Sequence, residues 1–193
     1  MAMTRQAFSW RMHELGGLVT EAVTYFSAWE ALHNADTESV VVLTQYRGHF
    51  EPARAGLQLV AVLHVAKLFD KNKRTISIPN LIRAAKLDRP ALVPHLDDVT
   101  LAEIERRLGA HAPVLRRLKR LRDQRLAHYD AAPKGSRRLT PEELADLVED
   151  VKWIWNELDI GHRQNVTVFD GLEMDAQRHT AALIDALRAA HRR

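Results

Sequence analysis

Apolar residues return every three to four positions from one end of this chain to the other, and nowhere do they alternate in the two-residue rhythm of a strand. That periodicity leaves one fold class, all-α. With 193 residues, 46% of them hydrophobic, and only 8 Gly and 7 Pro, the chain can bury one substantial core. The economical architecture is a single helical bundle over residues 1–193 with a peripheral helix or two.

Start and stop signals divide the pattern. A long first helix is predicted from about Arg5 to His33, and a second from Thr37 to about Gly48. The second is expected to run on after Pro52 into a piece ending at Phe69. The segment GLQLVAVLHVAKLF is apolar almost all round, as in a helix buried on several sides. Ser77 is placed to cap a short helix, SIPNLIRAAKL, ahead of Arg89 and Pro90. Helices follow from about Thr100 to Gly109 and from Ala112 to Tyr129. After the linker-like AAPKGSRR come helices over Pro141 to Leu158 and Gly171 to about Ala190, joined by an irregular IGHRQNVTV. Thr100 with Glu103, and Thr140 with Glu143 and Pro141, have the spacing of capping boxes, and Asp170 with Glu173 imitates it.

Several function classes drop out. Without cysteine there is no disulfide framework, thiolate metal site or cysteine nucleophile, which suits a cytoplasmic protein. MAMTRQAFSW lacks the apolar run of an export signal, and no stretch has the roughly 18 uninterrupted apolar residues of a membrane span. A soluble protein with no membrane partner is the expectation. Ten histidines form no HxxH, HxxxH or HExxH pair, and no Gly-rich phosphate loop exists, so neither metal nor cofactor is expected. His64 and His179 read as core or interface histidines. Gly16 and Gly17 interrupt a helix in the manner of a close approach or a bend. Trp155 belongs to the apolar stripe Leu144, Val148, Val151, Leu158, whereas Trp153 lies off it and must cover another helix, a subunit interface or solvent.

The formal charge is +3, but its distribution matters more than its total. Eight Lys or Arg lie between Arg106 and Arg125 against one acid, Asp123, whereas Glu142 to Asp159 is acid-rich with one lysine. Within the basic segment, RLKRLRDQRLAHYD (117–130) poses a problem of phase. At about 100° per residue, Val114, Leu115, Leu118, Leu121 and Leu126 fall within an arc of roughly 140°. Arg116, Arg117, Lys119 and Arg120 lie outside it. Arg122 falls near its middle and Arg125 beside it. A guanidinium among leucines costs several kcal/mol unless it meets an anion or a wet cleft. Helix phase leaves both open: an internal salt bridge, to Asp130 or an acid of another helix, or a polar groove.

Arg122, Asp123, four further residues and then His128 form R-D-x-x-x-x-H, which resembles the signature of the HEPN superfamily. LHVAKLFDKNKRTISIPNLI (63–82) and RLRDQRLAHYD (120–130) together resemble its AbiU-type abortive-infection branch over nearly the whole chain. The resemblance implies a HEPN-like bundle of four to five core helices with peripheral helices. It further implies a homodimeric, metal-independent endoribonuclease of phage-defence or toxin type, for which an antitoxin or partner protein is a further partner. The alternative is a catalytically silent module that binds RNA, nucleotide or a partner protein. By position, His128 and Arg122 inherit the work on the scissile phosphate, and Asp123 the orienting of its partners. HEPN toxins silenced by tyrosine modification carry His-x-Tyr; here Tyr129 follows His128 directly, so that regulation does not carry over. Arg125, Tyr129, Lys119, Arg116 and Arg120 are candidates for holding flanking RNA.

The chemistry suits these residue types. An imidazole can take a proton from a ribose 2′-OH or give one to the departing 5′-oxygen, and a planar guanidinium can grip two phosphate oxygens. On one straight helix Arg122 and His128 stand about 120° apart in azimuth and about 9 Å along the axis. Either the helix frays near His128, or a two-fold axis lines one cleft with residues of two subunits.

Overall fold

The computed structural model describes residues 3–122 and 139–191, and among these it is all-α with no strand. Its helices are α1 (Arg5–His33), α2 (Thr37–Gln45), α3 (Arg47–Leu68), α4 (Ile78–Leu87), α5 (Arg89–Leu92), α6 (Asp98–Ala110), α7 (Ala112–Leu121), α8 (Pro141–Arg163) and α9 (Asp170–His191). The chain forms two compact units, one from residues 1–19 and 62–167, the other from 20–61 and 168–193. Both α1 and α3 contribute residues to each.

In the first unit, α1 buries Phe8, Met12, Leu15 and Val19, a single stripe at helical spacing. The α8 stripe predicted from sequence is equally buried: Leu144, Val148, Val151, Trp155 and Leu158, with Leu147 and Ile154 beside it. At Gly16 a β-carbon would stand 2.9 Å from the Trp155 ring, so this glycine permits close approach. In the second unit α2 packs on α9, burying Val42 and Ile184, and α1 adds Val23, Phe26 and Trp29. The Phe26 and Trp29 rings lie 5.7 Å apart.

Local chemistry explains the helix starts. Thr140 and Glu143 form the full capping box, each side chain accepting from the other's backbone N–H at 3.2 and 3.1 Å. The same pattern at Thr100 and Glu103 does not. Asp97 caps α6 instead, its carboxylate accepting the Thr100 N–H at 2.6 Å, while Glu103 is held by Arg106 and Arg107. Ser77 occupies the N-cap of α4 without a capping bond, its buried hydroxyl the only such side-chain atom without a partner among the described residues.

Other boundaries move as well. The chain breaks at Tyr46, not at Pro52, because Pro52 lies so near the start of α3 that it forgoes only the bond to the Gly48 carbonyl. Buried residues in GLQLVAVLHVAKLF begin only at Ala61, and even beyond it the burial is one-sided; Leu59 and Lys67 are exposed and Leu63 and His64 half-buried. IGHR is helical, and α8 ends at Gln164 in the left-handed region. Gly161 lets Leu96 pack directly on this last part of α8, since a β-carbon there would meet the Leu96 side chain at 2.7 Å. His179 is exposed on α9 and is no core residue. Among the described residues the deeply buried histidine is His162, whose Nε2 meets Ser9 Oγ at 2.8 Å and whose Nδ1 meets the Leu92 carbonyl oxygen.

Candidate functional site

Four chain segments of the first unit surround a cleft of about 1130 Å³. The end of α3 and the loop after it supply Phe69, Asp70 and Lys71. Arg83 and Lys86 come from α4, Glu105 and Leu108 from α6, Arg116 and Lys119 from α7, and Arg122 from the C-cap of α7. The floor is apolar, made by Ala66, Phe69, Ile82, Leu115 and Leu118. Around it stand six Lys or Arg against two carboxylates, Asp70 and Glu105. Glu105 already binds Lys86 at 2.7 Å, so the rim carries a positive excess that attracts anions.

Both segments that carry the family resemblance therefore face this cleft, 63–82 from one side and the described start of 120–130 from the other. The loop on the first side is fixed from within. Asn80, buried at the start of α4, donates to the carbonyls of Asn72 and Thr75 at 2.7 and 2.8 Å, and the Asn72 N–H donates to Asp70 Oδ1 at 2.9 Å. That arrangement sets Asp70 where Arg122 reaches it.

Arg122 resolves the phase problem by taking both options at once. Its Nη1 lies 3.7 Å from Asp70 Oδ2, and the two side chains are 29% and 28% exposed. Its partner is an acid of the loop after α3 rather than of another helix, and the pair borders the cleft rather than lying in the core. At that distance the contact is Coulombic rather than a hydrogen bond.

The other basic candidates of α7 divide. Arg116 and Lys119 are exposed and line the cleft with Arg122. Arg120 is exposed but not part of the lining. Arg117 is turned to α8, where it forms a close ion pair with Glu143 and, together with the Thr140 N–H, holds that carboxyl below its usual range. Asp123, Arg125, His128, Tyr129 and Asp130, with the linker-like AAPKGSRR, lie outside the described residues. Lys71, Arg83 and Lys86 are cleft residues to which sequence alone assigns no role. Their signal was the likeness of 63–82 to the family, which marks a segment but no residue within it.

Behind the cleft a charged network braces the start of α7. Arg107 joins Glu103 and Asp150, both at 2.8 Å, and Asp150 also holds His111 Nε2 at 2.6 Å. The Arg107 guanidinium lies 4.0 Å from the centre of the Trp153 ring, so Trp153 covers this network on α6. The bonds from Arg106 and Arg107 hold the Glu103 carboxyl down at about 2 from an ordinary 4.5. A lowered carboxyl pKa stabilises the fold above the unfolded value and loses that contribution as pH falls through the folded one. Thermal melts of wild type and Glu103→Gln are therefore expected to differ above pH 4.5 and to converge between 4.5 and about 2. A gap that persists unchanged to pH 2 would rule out the ionised carboxylate as its source.

Among the described residues no three His, Cys, Asp or Glu side chains are grouped to hold a metal, and no helix is long and apolar enough to cross a membrane. The family model for AbiU2, of HEPN type, matches residues 11–183, a span that contains every residue of the cleft. No curated protein and no solved structure matches the chain.

Proposed function

The chain belongs to the AbiU2 family of HEPN proteins, and on that premise we propose that this abortive-infection-type module is a metal-independent endoribonuclease acting as a homodimer. The observation that carries the reading is Arg122 at the edge of a cleft whose rim has an excess of cations and whose floor is apolar. Phosphates suit the rim and an unstacked base suits the floor, which favours single-stranded or looped RNA.

In this mechanism the 2′-oxygen attacks phosphorus as the bond to the 5′-oxygen breaks. His128, as acid and base, accepts the 2′-OH proton and gives it to the departing 5′-oxygen, which leaves a 2′,3′-cyclic phosphate and a 5′-OH. Arg122 stabilises the charge growing on the phosphate oxygens, Asp123 orients its partners, and Arg116 and Lys119 hold flanking phosphates. Arg120, Arg125 and Tyr129 complete the set proposed to contact RNA. The two-fold axis brings His128 of one subunit toward Arg122 of the other, which one straight helix does not.

The test is incubation of purified protein with single-stranded RNA in EDTA, followed by analysis of the product ends. Cleavage that survives chelation and leaves 2′,3′-cyclic phosphate is expected; 3′-OH ends, or activity recovered only with Mg²⁺, would refute the mechanism. Light scattering is expected to give a dimer at tens of micromolar, on the order needed for a stable interface; a monomer there counts against the shared cleft. One observation favours a second reading, a silent module that binds RNA, nucleotide or a partner protein. Asp70 stands beside Arg122 and offsets its charge, an arrangement that suits reversible anion exchange as well as catalysis.

A further inference from the structure

Lys71 and Lys73 are two residues apart in one loop, yet they line different clefts. Lys71 belongs to the cleft described above. Lys73 lines a second one, of about 490 Å³, with Arg11 of α1, Asp88, Leu92 and the α4 residues Arg83 and Leu87. Asn80 fixes the loop that divides the two lysines, through its bonds to the Asn72 and Thr75 carbonyls.

The ridge between the clefts is as informative as the clefts. Arg83 and Leu87, one turn apart on α4, line both. Leu87 is 82% exposed, an apolar side chain standing in water between two basic hollows. No ion pair among the described residues engages Arg11, Lys73 or Arg83, and the second cleft holds one carboxylate, Asp88, against those three cations.

Resting on the ribonuclease reading, we propose that the second cleft is a subsite for the same RNA strand. The strand leaves the Arg122 cleft, crosses α4 with a phosphate at Arg83 and a base against Leu87, and places further phosphates between Arg11 and Lys73. A polyanion fits better than a small anion because the charges come from three separate segments strung along one path, with an apolar step between them. The ligand class is single-stranded RNA longer than the first cleft holds.

The experiment measures binding, not cleavage, of oligouridines of about 4 and about 12 nucleotides, lengths that bracket the site sizes of single-strand binders, over a range of salt. The variants are Arg11→Gln with Lys73→Gln, and Arg116→Gln with Lys119→Gln; circular dichroism checks that each folds. The first pair is expected to leave 4-mer binding unchanged, to remove the advantage of the 12-mer, and to flatten its log–log salt slope by about 1.4, from about 0.7 per lost phosphate contact. The second pair weakens both lengths. A 12-mer unaffected by the first pair but weakened by the second overturns the second subsite and leaves the ribonuclease reading standing. A 12-mer weakened by the first pair alone supports the subsite and counts against the Arg122 cleft. If wild type binds neither oligomer, both proposals fall.

Discussion

If the proposed ribonuclease mechanism holds, RNA cleavage is expected to fall by roughly 10² or more in His128→Ala while RNA affinity changes little, because the variant would remove the proton-transfer group and leave the cationic rim intact. Arg122→Lys is its companion, and the structure sharpens what it tests. Lysine keeps the charge and so keeps the Coulombic attraction to Asp70, which at 3.7 Å does not depend on a planar donor. It would lose the two-pronged grip on phosphate that the proposed mechanism assigns to Arg122. The catalytic reading therefore predicts a lysine variant that folds, melts near the wild-type temperature and fails to cut. Asp70→Asn adds the complementary arm: with the carboxylate gone, Arg122 gains charge toward a ligand, and RNA binding is expected to tighten. If Arg122→Lys instead lowers the melting temperature sharply and wild type never cuts RNA in EDTA or Mg²⁺, Arg122 is a structural ion-pair partner and the R-D-x-x-x-x-H motif is a relic here.

What could be read in advance, and what could not, follows the range of the interactions involved. The bounds of α1 and the capping box at Thr140 were legible because a local stripe and a four-residue motif decide them. The identical motif at Thr100 misled, because Asp97 competes for the same backbone N–H and two arginines compete for Glu103. IGHR looked irregular because glycine and histidine break the apolar stripe. The reason they are helical lies some 65 positions away, where Leu96 packs on Gly161 and the Leu92 carbonyl meets His162. His179 and His162 show the same limit, since no local signal says which histidine will find buried partners.

The site divides in the same way. Arg122 was conspicuous because its phase conflicted with a leucine face, and that conflict is local. Its partner was not legible: Asp70 sits in a charged loop that reads as solvated, and it is the Asn80 side chain that ties this loop to α4. Lys71, Arg83 and Lys86 were hidden for the same reason. A surface lysine that faces a concavity and one that faces bulk water are the same letter in the sequence.

The largest expected effect on stability belongs to Trp155. Trp155→Ala is expected to cost about 3–5 kcal/mol in urea denaturation, a large share of the roughly 5–15 kcal/mol available to a domain. The residue is buried on the α8 stripe, its ring fills the space that Gly16 leaves on α1, and its Nε1–H donates to Thr167 Oγ1 at 3.0 Å. Gly16→Ala probes the same contact from the other side, with two opposing terms. Alanine gains up to about 1 kcal/mol of helix propensity over glycine, but its β-carbon would lie 2.9 Å from two ring atoms of Trp155, and such overpacking costs about 1–3 kcal/mol. Steric cost outweighs propensity, so Gly16→Ala is expected to destabilise wild type. In a Trp155→Phe background the smaller ring relieves the clash, and the propensity gain is then expected to show as stabilisation. That reversal of sign is a coupling that distant residues do not produce. If Gly16→Ala stabilises both backgrounds equally, α1 and α8 are not in contact at this position, and the packing that holds the first unit together has been misassigned.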